Sequence, residues 1–399
     1  MTTNLLFLGK KSFPGKSTFK HSFEPLALKR ERRFNERLVK KAIYKFCSPD
    51  LAHQAINGFR MSDGSSHAIL EDLKRSDQPY VAVKRDYHYF RALRVCEKLF
   101  RPQRRLKPVA FPDLRYYPWT LSVSAEAPYN IDPKYEKLAQ DKQRLGINLD
   151  SHLTFHNLYN DIFNDNRRLI HDIKIKRPDF WTSDSKPKPY YWTNLHARAH
   201  LVSFNDPDKL RAVFGVPKLL LMAENMFIWN IQKDYLNTNF RTPLLWGYET
   251  IKGGWLKLYN RIHQRKFNSV LSIDWSQFDR RALHEVIDDV HNMWRSWFDF
   301  DLGYEETNEY PDSKTNPEWM ENLWYWMTDM VKHYPIRTDS GHMFKWQFNG
   351  IASGFQQTQL LDSFVNAIMI LTCLSSLGIN IESENFQLFV QGDDSLVTF

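Results

Sequence analysis

Two apolar runs around a short polar turn mark residues 388–399: Leu388, Phe389 and Val390, then Leu396, Val397 and Phe399, with Gly392, Asp393 and Asp394 between them. Gly and Asp suit tight turns and the flanking residues suit buried strands, so the pattern predicts a β-hairpin with two adjacent carboxylates at its tip. Upstream, residues 269–275 read as a strand ending at Asp274. From Arg280 onward, Leu283, Val286, Ile287, Val290, Trp294 and Trp297 recur at helical spacing. Residues 299–318 are acidic and broken by Pro311 and Pro317, and a helix carrying Trp319, Trp324 and Trp326 follows, its aromatics expected mainly in the core. Residues 349–354 predict a turn and residues 355–377 an apolar helix ended by Gly378. That helix contains Asp362, Ser363 and Asn366, which favours a buried helix over a membrane span.

The first half is more polar. Residues 1–25 are expected to be irregular, with Pro14, Gly15 and Pro25. Residues 29–46, with Phe34, Leu38 and Ile43 among basic residues, predict a helix with a cationic face, and residues 85–101 a second basic helix stopped by Pro102. Residues 131–190 suggest polar helices and a Lys/Pro linker at 186–189. Residues 209–229 begin with Lys209 and Arg211, pass Gly215, Pro217 and Lys218, and enter a long apolar helix. Grouped cations before a helix suit a triphosphate, and equally suit a charged, solvent-facing strand. Two motif-like stretches fail on inspection. Gly15-Lys16-Ser17 lacks the earlier Gly of a phosphate loop, Lys10 standing there instead. His196 and His200 have the spacing of one helical face, but Ala197 replaces the Glu of a zinc-protease motif.

Composition narrows the class. With 399 residues, 42% of them hydrophobic and 15% aromatic, the chain can build two or three subdomains. Its three cysteines, Cys47, Cys96 and Cys373, lie far apart, which argues against a disulfide framework or zinc cluster and suits a reducing compartment. No signal peptide is evident. The net charge of +8 sits in residues 1–50, which hold twelve Lys/Arg against four Asp/Glu, whereas the remainder holds 42 of each. Such an arm could hold phosphate backbones, or simply be solvated.

Asp274 and Asp279 after a strand, a Ser353-Gly354 loop before a helix with Thr358 and Asn366, an Asp393-Asp394 hairpin and an upstream cationic stretch together suit nucleotidyl transfer. In that chemistry, two divalent ions about 3.5–4 Å apart activate a 3′-hydroxyl and neutralise the leaving pyrophosphate. Neighbouring strands could bring Asp274 beside Asp393 and Asp394. Asp279, directly or through Asn366, would accept a hydrogen bond from a ribose 2′-hydroxyl. Gly354 would allow close approach of the template or a positive φ.

The wording DWSQFD at 274–279 resembles polymerase motif A of RNA viruses; Ser353-Gly354 with Thr358 and Asn366 resembles motif B, and Gly392-Asp393-Asp394 motif C. The run from Arg198 through Lys209 and Arg211 to Lys218 is similar to motif F. Together with DLRYYPW (113–119) and SAEAP (124–128), the resemblance over residues 85–399 is to the RNA-directed RNA polymerases of partitiviruses, double-stranded RNA viruses. It implies an α+β right-hand fold, with an antiparallel, RRM-like palm sheet and mostly helical fingers. On this reading 1–60 form a basic arm or fingertip region and 61–265 the fingers, with motif F at about 196–219. Residues 266–399 form palm motifs A to C, with a fingers insertion at about 300–345. The family's palm continues into two further motifs and a thumb, expected beyond Phe399.

The resemblance implies magnesium, two ions with manganese as a substitute, held by Asp274, Asp393 and Asp394. Asp279 and Asn366 would select ribose; Ser353, Gly354 and Thr358 would contact template and nascent pair; and Arg198, Arg211 and Lys218 would hold nucleotide phosphates. Expected partners are RNA template and product, NTPs and a viral capsid protein, with no membrane, in a virion interior or host cytoplasm. Two other readings stand beside it. A reverse transcriptase shares the palm but would want a bulky aromatic in place of Asp279. A non-catalytic, capsid-associated RNA-binding protein would use the basic arm alone.

Overall fold

A computed structural model describes residues 3–11, 26–237, 241–307 and 311–399. The Gly15-Lys16-Ser17 stretch lies outside these residues. The chain opens with strand β1 (Leu5–Lys10), helices α1 (Leu26–Phe46) and α2 (Pro49–Asn57), β2 (Phe59–Met61), α3 (Ser66–Lys74) and α4 (Tyr87–Phe100). Helices α5 (Pro133–Arg144) and α6 (Tyr159–Lys174) precede β3 (Thr193–Ala199), β4 (Leu201–Ser203), β5 (Leu210–Gly215), α7 (Lys218–Asn237) and α8 (Gly254–Ile262). Then come β6 (Val270–Ile273), α9 (Phe278–Arg281), α10 (His284–Trp297), α11 (Pro317–His333), β7 (Ile336–Arg337) and β8 (His342–Trp346). Helix α12 (Thr358–Ser376) and the hairpin β9 (Gln387–Gln391) and β10 (Asp394–Thr398) follow.

The class is mixed α+β. A five-stranded sheet runs β1-β8-β7-β3-β5 and is itself mixed, because β3 and β7 are parallel while the other neighbours are antiparallel. A separate antiparallel sheet runs β6-β10-β9, and β2 pairs with β4. Sequence-distant segments are thereby joined: β8 pairs on one edge with β1, near the start of the chain.

Helix α12 is the axis of the core. By length and composition alone it could cross a membrane, but 78% of its apolar window is buried inside the protein. Phe364 at its centre meets Phe100 of α4 at 4.3 Å and Trp294 of α10 at 5.3 Å, ring centre to ring centre. Full burial of each such ring stabilises by roughly 1.5–3 kcal/mol. Trp294 and Trp326 are fully buried, so these aromatics serve packing and not base stacking. Asp86 caps α4, accepting from the amides of His88 and Tyr89.

Three expectations are corrected. Residues 1–25 are not irregular throughout, because alternating contacts with β8 make Leu5–Lys10 a strand. The 186–189 segment is no free linker: the Lys186 carbonyl accepts from the Thr182 amide, Lys188 donates its amide to Phe180, and the Lys188 carbonyl accepts from the Trp326 indole. His196 lies on strand β3 and not on a helix, its Nε2 3.4 Å from the Glu126 carboxylate. Strand pairing with β5 overrides the helical spacing.

Candidate active site

The Gly392-Asp393 turn joins β9 to β10 with two residues. Gly392 adopts φ +65°, whereas Asp393 is not among the positive-φ residues, which is the pattern of a II′ hairpin with Gly at its first central position. Across the sheet, Ser395 pairs with Ile273, so Asp394 at the start of β10 comes next to Asp274 at the end of β6. The charges feel one another. Loss of water contact raises the Asp394 carboxyl above its ordinary value, and Asp393 and Asp274 raise it further.

Asp279, on the short helix α9, opens onto the same space. It is exposed to a concave cavity whose walls strip water from it, which raises its pKa; Asp393 adds to the rise, and Arg280 and Arg211 oppose it. The cavity, about 1050 Å³, is lined by the acidic Asp279 and Asp393 with Ser353, and by the cationic Arg198, Lys209 and Arg211. Arg198 and Arg211 are direct partners across the β3/β5 ladder. Two cations placed opposite each other repel. An anion bound between them would turn that cost into attraction, and the facing carboxylates would turn toward a cation for the same reason.

Oxygen-only donors brought together across adjacent strands fit a hard divalent ion such as Mg²⁺ or Mn²⁺; loss of water first, and neighbouring carboxylates second, raise the pKa of Asp394 and of Asp279, and a bound cation would oppose both effects. Among the described residues no group of three or more His, Cys, Asp or Glu is already gathered at ligand spacing. Asp274 and the Asp393-Asp394 pair would therefore close onto an ion from their separate strands.

Residues 158–399 match the family model for viral RNA-dependent RNA polymerase. The chain belongs to that family. It is 32% identical over 382 residues to the RNA-directed RNA polymerase of white clover cryptic virus 1, covering 85% of this chain and 60% of that protein. With the RNA-directed RNA polymerase of Atkinsonella hypoxylon virus it shares 26% identity over 338 residues, 72% of this chain and 48% of the relative. The chain thus spans about half to three fifths of the length of these curated relatives.

Within this polymerase-family chain the named residues fall into two sets. Asp274, Asp279, Asp393, Asp394, Ser353, Arg198 and Arg211 have side chains at or beside the cavity. The other four face inward. Lys218 is buried at the start of α7, where its ammonium donates to the Ser124 carbonyl at 3.0 Å, and burial pushes its pKa down to about 8. It is therefore no free phosphate ligand here. The Thr358 hydroxyl donates to the Ala352 carbonyl at 2.8 Å, tying the loop to α12. Gly354 is already required by the protein's own packing: a Cβ there would stand 2.0 Å from the Phe214 carbonyl oxygen of β5. Asn366 is spent on structure, accepting from the Trp275 indole at 2.7 Å and donating to the Gly392 carbonyl at 3.0 Å.

One residue escaped the sequence reading. Asp362, one turn after Thr358 on α12, is buried, and its Oδ1 has no hydrogen-bond partner. Burial raises its pKa well above the ordinary value, with Asp279 and Asp393 adding to the rise, so it belongs to the same group of carboxyls. The available signal was an acidic residue on an otherwise apolar helix, which served only to argue against a membrane span.

Proposed function

We propose that this chain carries the catalytic centre of an RNA-directed RNA polymerase that replicates and transcribes a segmented double-stranded RNA virus genome. The observation that carries the reading is the convergence of Asp274, just after β6, on Asp394 of the paired strand β10, next to Asp393, which lines one cavity with the Arg198–Arg211 pair. Magnesium, as two ions held by Asp274, Asp393 and Asp394, would supply activation of the 3′-hydroxyl and neutralise the leaving pyrophosphate. Arg198 and Arg211 hold the triphosphate and orient it toward the carboxylates. Asp279 accepts from the ribose 2′-hydroxyl, which a deoxynucleotide lacks. Ser353, exposed at the cavity, meets the template or nascent pair.

In this reading the β6-β10-β9 sheet with α12 is the palm of a right hand, and the segments around the β1-β8-β7-β3-β5 sheet are fingers. RNA, NTPs and a capsid protein are the partners, in a particle interior or the host cytoplasm. Reverse transcription is disfavoured by the acidic Asp279, because a deoxynucleotide polymerase would want a bulky aromatic there to exclude the 2′-hydroxyl. The test is template-dependent incorporation of labelled ribonucleotides by the full-length protein. The reading expects activity that Asp393→Asn lowers by at least about 100-fold; equal activity in the two proteins would remove the assignment.

A further inference from the structure

We propose that Asn4 is a positioning residue for this site: its carboxamide fixes the 347–351 segment and thereby sets where Asp279 and Ser353 stand. Asn4 is fully buried although it lies close to the start of the chain. Its Nδ2 donates to the Ser76 carbonyl after α3 and to the Asn349 carbonyl, each at 2.8 Å. Its Oδ1 accepts from the amides of Gln347 at 3.2 Å, Phe348 at 2.9 Å and Asn349 at 3.1 Å. Three successive backbone N–H groups converging on one oxygen form a nest, filled here by a neutral amide. The Asn4 carbonyl also accepts from Gln347 N at 2.9 Å.

The other side of the same segment grips the turn that carries Asp279. Ile351 N donates to the Asp279 carbonyl at 2.8 Å, Gly350 N to Ala282 at 2.9 Å, and Asn349 Nδ2 to Arg280 at 3.0 Å. His284 N donates back to the Phe348 carbonyl at 2.8 Å. Residues 347–351 are therefore a bracket between Asn4 and the 279–284 turn. Ser353, two residues further on, lines the cavity with Asp279. Asn suits position 4 because it offers two donors and a multiple acceptor on one short side chain. Leu would fill similar space and leave the Phe348 and Asn349 amides unpaired, Gln347 N keeping only the residue-4 carbonyl, and Asp would set a charged oxygen against two carbonyls.

The idea rests on the polymerase reading only for its activity readout, so two measurements are paired. Hydrogen exchange on Asn4→Ala should show about ten-fold faster exchange at amides 347–351, with α12 and β9 unchanged. Unchanged exchange there, or uniform acceleration across the fold, would overturn the proposal. In the full-length protein, Asn4→Ala should raise the NTP KM and lower ribo-over-deoxy discrimination, each about ten-fold, with kcat less affected. Discrimination that is unaffected by Asn4→Ala in an active enzyme would sink the positioning role. If the unaltered protein incorporates no ribonucleotide, the polymerase reading fails, while the exchange result still decides the bracket.

Discussion

The Trp275 indole donates to the Asn366 side-chain oxygen at 2.7 Å, and the other end of the same amide donates to the Gly392 carbonyl at 3.0 Å. One side chain on α12 thus locks the residue after Asp274 to the residue before Asp393. Ser363, one turn earlier, accepts from the Gly392 amide at 2.8 Å, so α12 holds both backbone groups of Gly392. Placement of the two acidic segments follows from these bonds as much as from the β6/β10 ladder.

Asn366→Ala should cost about 1–3 kcal/mol of stability, because it leaves the half-buried Trp275 indole and the Gly392 carbonyl without their partner. Denaturant unfolding with unchanged m measures it. A loss of ribose discrimination with stability intact would instead restore a direct role for Asn366 at the nucleotide.

Gly354→Ala should destabilise by about 1–3 kcal/mol, since its Cβ would collide with the backbone of Phe214. Gly392→Ala meets no neighbour within 4 Å and bears only the left-handed φ of +65°, about 1–2 kcal/mol. Thermal unfolding separates them further: the Gly354 variant should also loosen β5, read by exchange at Arg211 to Gly215.

Arg211→Ala should raise the NTP KM about ten-fold through loss of one phosphate contact. Lys218→Met should lower stability while leaving that KM within about two-fold, because the Lys218 ammonium is committed to Ser124. Steady-state kinetics on the two variants, beside their unfolding curves, checks the division. A larger KM effect at Lys218 than at Arg211 would reverse it.

Glu224 on α7 is fully buried, its Oε1 accepting from Gln357 Nε2 at 2.7 Å, and burial pushes its carboxyl up to about 8. Its folded pKa therefore exceeds that of the unfolded chain. The unfolded chain loses this proton first, so stability falls as pH rises from about 4.5 to about 8 and levels off above. Glu224→Gln keeps the bond to Gln357 and removes the titration. Its stability relative to the unaltered protein should rise across that window. Parallel curves for the two proteins would contradict the assignment.

Local pattern carried much of the fold and only part of the site. The 388–399 hairpin, the strand before Asp274 and helix α12 were legible because apolar spacing and turn residues act over a few positions. The cationic stretch at 209–218 was legible as a group, but not its division: Arg211 points out of an exposed strand position, whereas Lys218 is drawn into the core by Ser124 and Phe155. That distinction depends on what packs against residues 124 and 155, far off in sequence. Asp362 was overlooked for the same reason. Its significance comes from Asp279 and Asp393, which meet it only in the folded chain. The pairing of β1 with β8 and the bonds of Asn4 to Asn349 join residues more than 300 positions apart, and no local periodicity announces them.

The central claim, that Asp274, Asp393 and Asp394 jointly hold divalent cations, is tested most directly by Mn²⁺ binding followed by electron paramagnetic resonance. The chain as it stands should bind Mn²⁺ that Mg²⁺ displaces, and Asp274→Asn and Asp393→Asn should each weaken that binding by about ten-fold or more. Mn²⁺ affinity unchanged in both variants would contradict the account.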